Sequence, residues 1–366
     1  MIMDYTHLDP LTSICGEKIT TVEEWETFRR EEIMVLLENF IYGVRPQEKP
    51  DGISFGMLAD EMNFKGYDIE RKDMTLSFNG YTLPFYVFLP MKREGKLPAF
   101  LHILNESSGK LHQPIDNPDN GFIPITDITA RGYAVVIVKT YDISPDWEHY
   151  TEFRQGVFKA MQPDAEKRND RSWATISGWA FGASRVMDYL ETDPDIDCKR
   201  VAVIGHSRAG KTALWATATD RRFAIAISNS SGCSGASFTR GKTGEHIKDI
   251  NISDWFCGNY HKYDDREKFL PFDQHYLLAA IAPRPIYVKS NELDDWAGPD
   301  NELLSCKLAT PVYNLYGIDG FIDEGEIEID RQYAKGNIAY HRTHGDHDLI
   351  RLDWKLYMDF ADRYLK

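Results

Sequence analysis

Residues Val201–Trp215 read VAVIGHSRAGKTALW: an apolar run to Ile204, a turn through Gly205-His206-Ser207-Arg208-Ala209-Gly210, and an immediate helix. A buried strand that passes through a serine turn into a helix is the local shape of a nucleophile elbow, where the serine is held on a strained bend. The positions two before and two after the serine must then be small, and here they are Gly205 and Ala209. Ala209 takes the place of the second glycine of the usual GxSxG. The start of the helix would offer a positive dipole and a free N–H to an oxyanion.

The same letters satisfy a second pattern. Gly205, four residues, then Gly210-Lys211-Thr212 spell GxxxxGK[ST], the phosphate-binding P-loop. Both patterns need strand, turn and helix, so the surroundings decide. A P-loop follows an early strand, yet about 200 residues precede this one. It also needs an aspartate closing a later apolar strand to support Mg²⁺, and Phe223–Ile227 ends in Ser228-Asn229 instead.

Outward from the turn, short apolar runs alternate with helical stretches from Ala99 to the C-terminus, which predicts a mainly parallel sheet covered on both faces. Upstream, Asp73–Phe78 and Tyr81–Leu89 flank Asn79-Gly80, a two-residue hairpin signal. A helix is expected over 22–42, with Thr21 and Glu24 as a capping box, Gly43 as its stop, and Trp25, Phe28, Leu36, Leu37, Phe40 and Ile41 as its apolar face. Antiparallel strands followed by a parallel βα series give the α/β-hydrolase order. The expectation is one domain over 1–366, with 1–72 as a helical and extended segment packed on a hydrolase core of 73–366.

A serine hydroxyl needs a base, and the base needs an orienting carboxylate. On this fold the chain order is serine, acid, histidine. The tail THGDHDLIRLDW places His347 in a short polar loop between the last strand and the last helix. His344 is its rival, whereas His341 belongs to the strand end. The acid should follow a late strand, and Ile286-Tyr287-Val288 runs into SNELDDWAGP, which offers Glu292, Asp294 and Asp295.

A formal charge of −15 opposes nucleic acid and an anionic membrane surface as partners, and would repel a polyanionic substrate but not a neutral ester. The five scattered cysteines show no CxxC pairing, so neither a metal site nor a disulfide framework is expected, and no cofactor is implied. The opening MIMDYTHLDP is polar, so the chain as written reads as cytoplasmic; with a leader removed it would read as secreted or periplasmic.

Several separated motifs together resemble the glucuronoyl esterases of carbohydrate esterase family 15, particularly the bacterial members. They are GHSRAGK (205–211), SNSSGCSGAS (228–237), GKTGE (241–245), LPFDQHYLLAAIAPRP (270–285), DDWAGP (294–299) and HGDHD (344–348). The resemblance implies Ser207 as nucleophile, His347 as base and Asp294 as the acid. Arg208 would stabilise the oxyanion through its N–H and guanidinium, and Lys211, Glu245 and Trp296 would bind the sugar. The implied substrate is a carbohydrate, a 4-O-methylglucuronate ester of xylan or its fragments. One departure matters: many members carry a catalytic glutamate where this chain has Ser230, so it would depend on Asp294 alone. An acetyl or aryl esterase on the same scaffold, a non-catalytic carbohydrate-binding relative and the P-loop NTPase are the competing readings. The sequence does not set the oligomeric state.

Overall fold

The computed structural model describes residues 8–47, 49–105, 115–146, 153, 155–162, 164, 167–250 and 254–366. Its strands are β1 (Ser54–Glu61), β2 (Ile69–Phe78), β3 (Tyr81–Pro90), β4 (Leu97–Leu104), β5 (Ala134–Lys139), β6 (Ile196–His206), β7 (Ile225–Asn229), β8 (Ile286–Asn291), β9 (Gln332–Tyr333) and β10 (Ile338–Thr343). They form one sheet in the order β1-β2-β3-β5-β4-β6-β7-β8-β10-β9. Strands β5, β4, β6, β7, β8 and β10 run parallel to one another, while β1, β2 and β3 pair antiparallel at one edge and β9 closes the other. This is the α/β-hydrolase fold.

The parallel strands are apolar on both faces because helices cover both. Alternate residues therefore feed two cores. Leu101 and Val203 pack with Trp179 and Trp215, from helices Thr175–Leu190 and Arg208–Thr219. Phe100, Val135 and Ile204 face the other way, onto Trp354 of helix Arg351–Leu365. Asn79 and Gly80 take φ of 47° and 75°, the left-handed pair that a two-residue hairpin requires.

Residues 22–42 are helical throughout, capped by the Thr21–Glu24 box, and Trp25, Ile33, Leu37, Ile41 and Tyr42 join the first core. Tyr42 stacks on Trp215 with ring centroids 4.2 Å apart. Gly43 ends the run at φ 77°, and a Cβ there would lie 2.3 Å from the Ser172 carbonyl oxygen. Two details depart from the sequence reading. The helix contains π turns at Trp25–Arg29 and Glu38–Tyr42. The wider first turn rotates the register, so Phe28 is 44 % exposed and Arg29 goes inside. Strand β1 was not anticipated, because seven of its eight residues are exposed and no apolar alternation marks it.

Candidate active site

Ser207 joins β6 to the following helix at φ 57° and ψ −129°, a strained conformation for a non-glycine residue. Three backbone hydrogen bonds hold the bend. Ser207 N–H donates to Asn229 O (2.8 Å), and the N–H groups of Gly210 and Lys211 donate to Ser207 O (2.8 and 3.2 Å). The turn is so tight that a Cβ on Gly205 would sit 2.1 Å from the Ala209 carbonyl oxygen. At the other small position Ala209 is fully buried, and the close approach falls one residue later, where a Cβ on Gly210 would lie 3.0 Å from Ser231 Cβ.

Strands β8 and β10 pair in parallel, Asn291 opposite Thr343, so the loops leaving their C-terminal ends lie side by side. Leu293 N–H donates to Gly345 O (3.0 Å) and ties them together. Across this seam His347 Nδ1 lies 2.6 Å from Asp294 Oδ2. An ionised carboxylate only accepts, so Nδ1 carries the proton and Nε2 is left with a lone pair, the form a general base needs. Burial alone would raise the Asp294 carboxyl. The His347 hydrogen bond and charge, the Ala297 N–H and the Lys242 ammonium outweigh it and hold Asp294 below the usual aspartate range. Asp295, the neighbouring candidate, is exposed.

The imidazole of His347 packs on that of His206, the residue before Ser207, with centroids 4.5 Å apart and planes at 47°. His206 Nδ1 lies 2.6 Å from Asn229 Oδ1, and Asn229 Nδ2 donates to the Tyr357 hydroxyl (2.8 Å). That orients the amide so that its oxygen faces His206, which donates through Nδ1–H. Complete burial, then the charge of His347, keeps His206 well below the ordinary histidine range, so its ring is neutral.

The other two histidines of the tail pair elsewhere. His344 Nδ1 lies 2.6 Å from Glu292 Oε2 in solvent, and His341 Nε2 lies 2.8 Å from Asp353 Oδ1 in the interior.

Arg208, the residue after Ser207, is buried, with its guanidinium 5.5 Å from the Trp255 ring centroid and 6.0 Å from that of Trp179. Its Nε comes within 3.0 Å of Asp146 Oδ2.

Lys211 is 2 % exposed, and its ammonium donates to Ser231 O (2.7 Å), Cys233 O (2.6 Å) and Glu245 Oε2 (3.0 Å). All three N–H donors are thus engaged, so neither a sugar hydroxyl nor a phosphate finds a free one. Glu245 also accepts from Cys233 N–H (2.9 Å), and its own N–H donates to Trp296 O (2.9 Å). The indole of Trp296 stands 53 % exposed. Beneath it Lys242 donates to Trp296 O (2.5 Å) and Thr243 O (2.9 Å).

Ser230, at the position where the resemblance implies a glutamate in many members, sits buried at φ 44°, and its hydroxyl donates to Asn291 Oδ1 (2.9 Å). The same oxygen accepts from Lys289 Nζ (2.7 Å) and Asp348 N–H (3.2 Å). Close by, the fully buried Glu302 accepts from Ser290 Oγ (2.6 Å) and Gly232 N–H (3.0 Å), bracing the turn after β7 against the end of β8. Burial raises its carboxyl above the usual glutamate range. Asp146, Lys242, Asn291 and Glu302 escaped the sequence reading, since each acts on a partner far along the chain and none sits in a spaced pattern.

No cluster of His, Cys, Asp or Glu among the described residues could hold a metal ion, and none of their helices is long and apolar enough to cross a membrane.

A family model described as glucuronyl esterase, fungi, matches residues 123–317. A carbohydrate esterase from an unknown prokaryotic organism is 36% identical over 99% of this chain and 90% of its own. A 4-O-methyl-glucuronoyl methylesterase of Hypocrea jecorina is 35% identical over 80% of this chain and 58% of its own. Among solved structures, a glucuronoyl esterase from Solibacter usitatus superposes with a TM-score of 0.90 at 32% identity, over 100% of this chain and 99% of that one.

Proposed function

Because the chain belongs to the glucuronoyl esterase family, carbohydrate esterase family 15, and is a carboxylic ester hydrolase, we propose that it cleaves 4-O-methylglucuronoyl esters through Ser207, His347 and Asp294. His347 Nε2 takes the Ser207 proton as Oγ attacks the uronate C6 carbonyl, forming a tetrahedral oxyanion. The Arg208 N–H, at the start of its helix, and the Arg208 guanidinium receive that charge. The C6–O bond to the alcohol breaks, and His347 returns the proton to the leaving oxygen. Water, deprotonated by the same nitrogen, then hydrolyses the acyl-enzyme to glucuronate and free Ser207. Trp296 supplies a platform for the sugar ring and Glu245 an acceptor for its hydroxyls. Lys211 works from below, holding Glu245 in place rather than touching the sugar.

One observation carries this reading: the 2.6 Å contact of His347 with a buried Asp294, in an imidazole packed directly against the elbow. Its test is hydrolysis of benzyl glucuronate by the parent, Ser207→Ala and Asp294→Asn, beside acetylated xylan and an aryl acetate. The parent should cleave the glucuronate ester and both variants should lose it. Turnover of the acetyl substrates alone would reject the substrate, and an active Ser207→Ala would reject the mechanism.

A further inference from the structure

We propose that Asp146 is a positioning residue for this reaction: it aims the Arg208 guanidinium at the oxygen that becomes negative when Ser207 attacks. The inference rests on the esterase reading above. It starts from how Arg208 is held. The residue is only 6 % exposed, yet no described residue accepts a hydrogen bond from its guanidinium. Two indole faces, of Trp255 and Trp179, supply π contact, which attracts a cation without using its N–H groups. The one counter-charge among the described residues is Asp146. Its Oδ2 stands 3.0 Å from Nε but out of hydrogen-bond alignment, so the contact is an ion pair.

A guanidinium has five N–H donors, and burying a charge with its donors unmet is costly. A carboxylate on the Nε side neutralises the charge while leaving the two terminal NH₂ groups to be filled by a substrate oxyanion. Asp146 is itself set in place by the Trp255 indole N–H, which donates to the same Oδ2 (3.3 Å). Burial pushes the Asp146 carboxyl up, and the charge of Arg208 opposes that shift. The pair links the segment that follows β5 to the first residue after the nucleophile. Asp146 touches no reacting atom; it fixes where the donor points.

The oxyanion exists only along the reaction coordinate, so the effect belongs in kcat and not in KM. Asp146→Asn should lower kcat on benzyl glucuronate by about 10- to 100-fold, less than loss of an oxyanion donor itself, with KM within about 2-fold. Asp146→Glu, which restores the charge, should recover part of that loss. Because Asp146 acts through Arg208, the double variant Asp146→Asn/Arg208→Gln should be no slower than Arg208→Gln alone, within about 2-fold. Multiplying losses, a change confined to KM, or an unaltered kcat in Asp146→Asn would overturn the assignment. So would equal slowing by Asn and Glu with matching falls in melting temperature, which would mark a packing role. If Ser207→Ala turns over at the parent rate, the esterase mechanism fails and this inference falls with it; if Ser207→Ala is dead and Asp146→Asn is normal, the inference alone fails.

Discussion

Two histidine–carboxylate pairs hang from the same strand end, and they do opposite things. His341 and Asp353 are both 0 % exposed at their side chains, with the Lys289 ammonium 3.4 Å from Asp353. His347 and Asp294 are 39 % and 3 % exposed. The chemistry of each pair is the same; what differs is whether one face of the imidazole is open. The interior pair ties the last strand to the last helix, and Asp353 also caps that helix by accepting from Ile350 N–H (2.8 Å). With no route for a proton or a substrate, it is a structural lock. The outer pair keeps its carboxylate dry and its imidazole accessible, as the proposed base and its orienting acid require. A third pair, His344 and Glu292, is 72 % and 39 % exposed and is solvated like any surface charge.

The sharpest way to test this contrast is to remove one carboxylate at a time. Asp294→Asn should cut kcat by about 10³–10⁴-fold, through loss of the correct tautomer of His347, while the denaturation midpoint stays close to the parent's. Asp353→Asn should reverse the pattern. Breaking a buried pair leaves uncompensated charge, so unfolding in denaturant should be easier by about 3–5 kcal/mol, with kcat of the folded enzyme within about 3-fold. Equal kinetic damage from both would erase the distinction.

Acid should weaken the interior. Burial pushes His102 down to about 3, so the folded state refuses a proton that the unfolded chain takes up below pH 6.5. Its stabilising contribution is therefore complete above pH 6.5 and is lost as pH falls toward 3. Replacing it with Phe, to pack against Trp354 and Phe122 as the imidazole does, should flatten the fall of unfolding free energy between those limits by about 1.4 kcal/mol per pH unit. An unchanged slope would place the titration elsewhere. The smallest effect belongs to the solvated pair: His344→Ala should cost under about 1 kcal/mol in stability and leave kcat within about 2-fold.

How much of this was written in the residues depends on the range over which each signal acts. The elbow, the capped helix over 22–42 and the Asn79-Gly80 hairpin were legible because each is enforced by neighbours in sequence. Phe28 was misplaced by a π turn, which no apolar periodicity announces. The loop ELDD offered three equivalent carboxylates, and resemblance alone favoured Asp294. What distinguishes them is the pairing of Asn291 with Thr343, which sets Glu292 against His344 and Asp294 against His347. Asp146 and Glu302 were invisible for the same reason: a carboxylate that works across the fold has no local pattern.

The parallel pairing of β8 and β10 has one more consequence. Asp294 and His347 are 53 residues apart along the chain, yet they meet because two strands finish at the same edge. The connection between those strands descends through helix Pro299–Leu315 and turns at the opposite edge, where Gly317 is exposed at φ 73° with open space around it. A polypeptide cut there would be broken remote from the two side chains and still bring them together.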